Sequence, residues 1–215
     1  MSLMTIILKM SEGLGKTCAI FFLTLIFSLP LGMIVALLRM SKNRLVSGVT
    51  RFFITVLRGT PLMLQLLAVT YGPYYLFGFG VARNKLIPVV IAFAINYAAY
   101  FAEIYRGGIE SIPAGQYEAA TVLGYNRLQT FLRIILPQVV KRIMPSITNE
   151  VVTLVKDTSI AFTVSYQEMF TIGKQIANSQ TSFVPFIVAG VFYYILNFVV
   201  DRVMGRIEKR LDYYN

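Results

Sequence analysis

The chain has 215 residues, 56% hydrophobic and only 14% charged, with a net charge of +10 and a mean hydropathy of +0.66. A water-soluble domain of this length needs more charge to cover its surface, so the composition points to one polytopic membrane domain over 1–215. Basic residues scattered at the ends of apolar runs exclude a nucleic-acid binder, and a chain without His excludes histidine metal sites and His-dependent nucleophiles.

The first charge-free run is Cys18 to Leu38, long enough at ~1.5 Å per residue to cross ~30 Å of hydrocarbon. Pro30 and Gly32 predict a bend in it. Cys18 is the single cysteine, so no intrachain disulfide forms and a packing role is expected. No short apolar stretch with a cleavage site marks a removable leader. Gly13-Leu14-Gly15-Lys16-Thr17 ends like a nucleotide-binding loop, but the first glycine of that motif would fall at Met10, and a membrane span follows instead of a strand preceding.

Arg39-Met40-Ser41-Lys42-Asn43-Arg44, with Arg51 beyond, is the densest short basic loop and reads as cytoplasmic, which places the N-terminus outside. A second span follows Arg58-Gly59-Thr60-Pro61 and runs from Gly59 to Ala82, with Tyr71, Tyr74, Tyr75, Phe77 and Phe79 as an aromatic belt. The third span, Leu86 to about Tyr105, carries Glu103 near its cytoplasmic end. Asn96 and Tyr100 lie at i−7 and i−3 from Glu103, on one helical face. Glu103 is either a functional carboxylate or a partner for Arg106 or Lys141.

A polar, small-residue island occupies about 106–140. Ser111-Ile112-Pro113 starts a short helix, and Gly124 stops it in the left-handed conformation. Asn126 caps a second helix, in which Leu128, Phe131, Leu132, Ile135 and Leu136 form one apolar face before Pro137 ends or kinks it. Ile143 to Val155 reads as a fourth span despite Pro145 and Glu150, followed by Lys156-Asp157-Thr158-Ser159 at membrane depth. The less apolar 158–180, with Gln167 and Glu168 as weak candidates, reads as a helix or re-entrant segment. Phe183 to Val200 is the fifth span, closed by Arg202, Arg206, Lys209 and Arg210 on the cytoplasmic side.

Buried charge in a membrane is costly and therefore a functional candidate. Lys156 and Asp157 either contact a ligand at a broken helix or form an internal pair, Lys156 with Asp157 or with Glu150. Gln65 is a weaker candidate, since a membrane Gln often bonds to a neighbouring helix. A zwitterionic ligand needs donors for its anionic group and acceptors for its cationic one. Lys156 suits the first and Glu103 and Asp157 the second, with Tyr100, Asn96, Gln65, Thr158 and Ser159 around them. Two acids lean towards a polar or cationic ligand.

Glu118-Ala119-Ala120, Gly124, Ile134 and Leu136-Pro137 match every defining position of the EAA cytoplasmic loop of ABC importer permeases, and the chain resembles that family. Arg58-Gly59-Thr60-Pro61 and Lys156-Asp157-Thr158-Ser159 look like motifs of its amino-acid branch, which with the two acids implies polar or basic amino-acid substrates such as arginine, lysine, histidine or glutamine. The resemblance implies an all-α, type I ABC importer-like bundle of five transmembrane helices with two short coupling helices in a loop at about 111–137. It implies a bacterial inner-membrane location, with Glu118, Ala119, Ala120, Leu123 and Gly124 meeting the ATPase. Two separate ABC ATPase subunits would bind ATP-Mg, leaving no cofactor in this chain. A second permease subunit, identical or related, and an extracytoplasmic solute-binding protein would complete the system. A passive channel or secondary transporter, and a membrane enzyme using Glu103, Lys156 and Asp157, are the rival readings.

Overall fold

The structure is a computed structural model that describes residues 2–80 and 82–211; Val81, inside the expected second span, and residues 212–215 lie outside it. All regular structure among the described residues is helical. Helix α1 (Leu3–Arg39) opens on Ser2, whose Oγ accepts the Thr5 N–H at 3.3 Å. It starts well before the apolar run because Lys9, Glu12 and Lys16 all lie on its exposed face. Ile6, Met10, Gly13, Thr17 and Ile20 turn inward on the other face.

The basic stretch after α1 is mostly helix. Asn43 Oδ1 accepts the Leu45 N–H at 2.9 Å and starts α2 (Arg44–Gly59), which the loop reading of this region did not anticipate. The chain then turns at Thr60-Pro61 into α3 (Leu62–Phe77), which stands at 107° to α2. Proline restricts Thr60 to extended backbone, so the helix ends there and restarts. Gly78, at φ +68°, closes α3.

Helix α4 (Leu86–Glu110) is the central post. Its buried Ala98, Ala99 and Ala102 let α1 approach closely, and a Cβ placed on Gly32 of α1 would sit 2.8 Å from Phe101 Cβ. Helix α5 (Ala114–Val122) follows, then α6 (Arg127–Thr130), a wide π turn (Phe131–Ile135) and α7 (Leu136–Asp157). Pro137 therefore does not end the second island helix. A π turn opens the backbone just where the proline ring would meet the carbonyl of residue 133, and the helix runs on.

Beyond Asp157 the coil tightens into a 3₁₀ segment (Thr158–Val164). Ser165 reverses the chain at φ 56°, and α8 (Met169–Gln180) leads to α9 (Val184–Leu211). Three of these helices, α1, α4 and α9, are long and apolar enough to cross a membrane, and the bent α2–α3 pair makes a fourth span if taken as one. Helix α7 is too polar for that group. It buries Val139, Ile143, Val151, Leu154 and Val155 and packs against α4 and α9. Only 11% of the apolar stretch of α9 is buried within the chain, so the remainder is a surface for lipid or another subunit.

Candidate functional site

Asn96, Tyr100 and Glu103 share the expected face of α4, but each meets a different partner. Asn96 Nδ2 donates to Gln65 Oε1 at 3.0 Å and to the Leu57 carbonyl at 3.3 Å. Gln65 Nε2 in turn donates to the Leu57 carbonyl (2.8 Å), the Thr60 carbonyl (3.1 Å) and Thr60 Oγ1 (2.8 Å). The last carbonyls of α2 have no intrahelical donors, so these two side chains satisfy them and clasp the 107° turn against α4.

Glu103 accepts from Arg106 Nη2 at 2.6 Å and Nε at 3.1 Å, and Arg39 Nε stands 4.0 Å away. Pairing with Arg106, one of its two expected partners, is thus realised. The guanidinium of Arg58 lies 5.1 Å from the centre of the Tyr100 ring. Tyr100 and Glu103, with Arg39, Arg51, Arg58 and Arg106, line a groove of about 490 Å³ between α1, α2 and α4.

The second cluster lies at the end of α7. Asp157 accepts the Tyr97 hydroxyl at 2.7 Å, which ties it to α4. Glu150 lies two turns earlier on the same face, half-buried, and close enough to Asp157 and Arg58 to interact electrostatically. Thr158 is fully buried and its hydroxyl donates to the Val155 carbonyl at 2.7 Å; Ser159 Oγ donates to the Lys156 carbonyl at 2.8 Å. These two hydroxyls therefore occupy helix-end carbonyls where the coil tightens. Lys156 is exposed, and among the described residues no ion pair within 4.0 Å joins it to Asp157 or Glu150.

Arg58 links the two clusters through the aromatic rings, since it covers Tyr100, whose ring centre lies 6.2 Å from that of Tyr97. Sequence reasoning missed Arg58, Tyr97 and Glu150 as parts of the site. For Glu150 the signal was present, as it precedes Asp157 by two helical turns.

Glu168 has a different surrounding. Fully buried, it accepts the Phe170 and Thr171 N–H groups (2.6 and 2.7 Å), the Thr171 hydroxyl (2.7 Å) and the Tyr193 hydroxyl (3.1 Å). It caps α8 and fastens it to α9. The Met169 N–H donates to Thr17 Oγ1 on α1 at 3.2 Å beside Gly13, where an added Cβ would stand 2.7 Å from Met169 Cα. The loop-like Gly13–Thr17 sequence is thus a helix-packing seam.

The turn and the cap expected in the island are both present. Ala120 alone of α5 is buried, while Glu118 and Ala119 face outward. Gly124 takes φ +80°, with the Tyr125 N–H on the Ala120 carbonyl at 3.0 Å. Asn126 and Gln129 cap the next helix reciprocally, at 2.9 and 3.0 Å. Val122, Leu123 and Leu128 are 88%, 72% and 67% exposed, an apolar surface on an otherwise polar segment. From Arg127 the chain stays helical to Asp157, about 45 Å of rod at ~1.5 Å per residue. Arg142 on this rod donates to the Ser111 carbonyl at the end of α4.

Relatives share this plan over nearly the full length. The chain is 37% identical over 208 residues to the L-cystine transport system permease protein TcyB of Bacillus subtilis, covering 95% of this chain and 87% of that one. It is 34% identical to the arginine transport system permease protein ArtQ of the same organism, covering 93% and 91%. Among solved structures it superposes on an amino acid ABC transporter crystallised with histidines, with a TM-score of 0.85, 30% identity and 94% of each chain covered. An inward-facing structure of the MetNI methionine ABC transporter has the same fold, with a TM-score of 0.78 at 18% identity over 98% of this chain and 99% of that one. Residues 28–213 match the binding-protein-dependent transport system inner membrane component. The chain belongs to that family, as a helical, type I permease subunit of an amino-acid ABC importer.

Proposed function

We propose that this permease carries polar or basic amino acids inward past Asp157 and Glu150, and that separate ATPase subunits drive it. The observation that carries this reading is the helical path from Arg127 to Asp157, widened by one π turn, with exposed Leu128 and Leu132 at its island end and Glu150 and Asp157 at the other. A partner that grips Val122, Leu123 and Leu128 beside Glu118, Ala119, Ala120 and Gly124 moves Asp157 whenever it moves the loop at 111–137. Such a rod gives two arrangements of one bundle, and nucleotide binding by the partner biases between them.

In this mechanism Asp157 and Glu150 accept the substrate's ammonium or a cationic side chain. Lys156, whose side chain is exposed, offers a donor to the carboxylate. Gln65 and Asn96 act as positioning residues that hold the turn at Pro61, and Thr158 and Ser159 hold the break in the helix after Asp157. Two copies of this chain, or this chain with a related one, enclose the path. A solute-binding protein delivers substrate on the outer side, with the N-terminus outside and the island in the cytoplasm of a bacterial cell. Relatives named for cystine, arginine and putative glutamine transport support the amino-acid class.

The test is reconstitution of the chain in liposomes with its ATPase and binding protein, and uptake of a panel of labelled amino acids. ATP-dependent uptake of arginine, lysine, histidine or glutamine is the expected result. Uptake without ATP, or chemical conversion of the substrate by the chain alone, would refute the proposal.

A further inference from the structure

The groove between α1, α2 and α4 holds four guanidinium groups against one carboxylate. That carboxylate, Glu103, is engaged by Arg106, and Arg106 also reaches Glu110. Arg39 is held by Ser47 Oγ at 3.0 Å, and its solvent-shielded Nε has no hydrogen-bond acceptor. Arg51 and Arg58 are exposed, and among the described residues neither has a carboxylate within 4.0 Å. Fixed like charges on three packed helices repel unless an anion joins them, and guanidinium forks match a carboxylate through paired N–H donors.

We propose that this groove is an exit subsite that binds the α-carboxylate of an amino acid passing from Asp157 towards the cytosol. Arg58 is the connection, because it stands over Tyr100 in the groove, and the Tyr100 ring lies 6.2 Å from that of Tyr97, whose hydroxyl holds Asp157. The path then presents acids first, for the ammonium, and arginines next, for the carboxylate. Release into the cytosol follows when the carboxylate leaves Arg51, an exposed member of the groove on the middle of α2. The inference rests on the import reading above.

The experiment uses the permease–ATPase complex in phosphatidylcholine nanodiscs, without nucleotide or binding protein. Binding of labelled L-arginine and L-glutamine is compared with that of argininamide and glutaminamide, which lack the carboxylate. Each acid binds about tenfold or more tightly than its amide, the ratio expected for a charged hydrogen bond. Arg51→Gln and Arg58→Gln each bring that ratio close to one. Asp157→Asn weakens acid and amide alike and keeps the ratio, and Lys16→Gln on the exposed face of α1 changes nothing. An unchanged ratio in both arginine variants overturns the proposal, as does the absence of measurable binding to a complex that transports. Phosphatidylglycerol retained by wild type and lost from Arg51→Gln, with an unchanged ratio, assigns the groove to a lipid headgroup instead. If the reconstituted system imports no amino acid of the panel, the import reading itself fails; import with an unchanged ratio refutes the groove alone.

Discussion

Gln65→Leu separates a clasp from a substrate contact. Gln65 makes three donations to the end of α2 and accepts one bond from Asn96. Side-chain bonds between membrane helices average about 0.6 kcal/mol each, and ordinary net values are about 1 kcal/mol. Gln65 Nε2 has two N–H groups to share among its three acceptors, and the Leu57 carbonyl keeps its bond from Asn96, so about three bonds are lost, roughly 2–3 kcal/mol. For a chain of this size each kcal/mol moves Tm by about 2–4 °C, so a fall of roughly 4 to 12 °C is expected. The assay is thermal unfolding of the purified complex by intrinsic Tyr fluorescence, run beside uptake kinetics. The turn at Pro61 loosens, so Vmax falls while KM changes less than about twofold, since binding at Asp157 is intact. Double substitution with Asn96→Ala should be less than additive, with a coupling of about 0.6–1.7 kcal/mol. An unchanged Tm with a tenfold rise in KM would refute the clasp and return Gln65 to the substrate.

Three further outcomes follow from single contacts. Gly13→Ala puts a Cβ 2.7 Å from the Met169 backbone, which cannot move aside like a flexible side chain. It should separate α1 from α8 and cost about 1–3 kcal/mol in thermal unfolding, whereas Gly15→Ala, with open space around it, should be neutral. Glu168→Ala leaves two N–H groups and the Tyr193 hydroxyl without their acceptor, for a loss of about 2–4 kcal/mol; a change below 0.5 kcal/mol would show that water replaces the carboxylate. Gly124→Ala strains a φ of +80° by about 1–2 kcal/mol at the island alone. Its effect should appear as weaker retention of the ATPase in pull-down, with the unfolding temperature of the bundle unchanged.

Local chemistry was legible in the sequence and distant contact was not. The Gly124 turn and the Asn126 cap depend on neighbours within five residues, and both form as read. Glu103 likewise found Arg106 one turn away. Gln65 and Asn96 stand 31 residues apart, and nothing in either flanking sequence announces that they meet. Tyr97 looked like one more aromatic in an apolar run, yet its hydroxyl holds Asp157 across 60 residues. Helix α2 was passed over because its arginines dominated the reading, although Asn43 is a cap and Leu45, Val49, Phe52 and Val56 keep helical spacing. The fourth span was hard to read because α7 is amphipathic: its apolar face packs against α4 and α9 while most of its polar residues stay exposed or half-buried, so it shows no continuous apolar run.

The central claim is that amino acids pass Asp157 under force applied at the island. Its most direct measurement is uptake of the best-transported amino acid by wild-type and Asp157→Asn complexes, with nucleotide hydrolysis recorded in the same liposomes. The account predicts that uptake falls by about tenfold or more, the effect of losing one charged contact, while the ATPase stays bound and active. Equal uptake by the two complexes would contradict it.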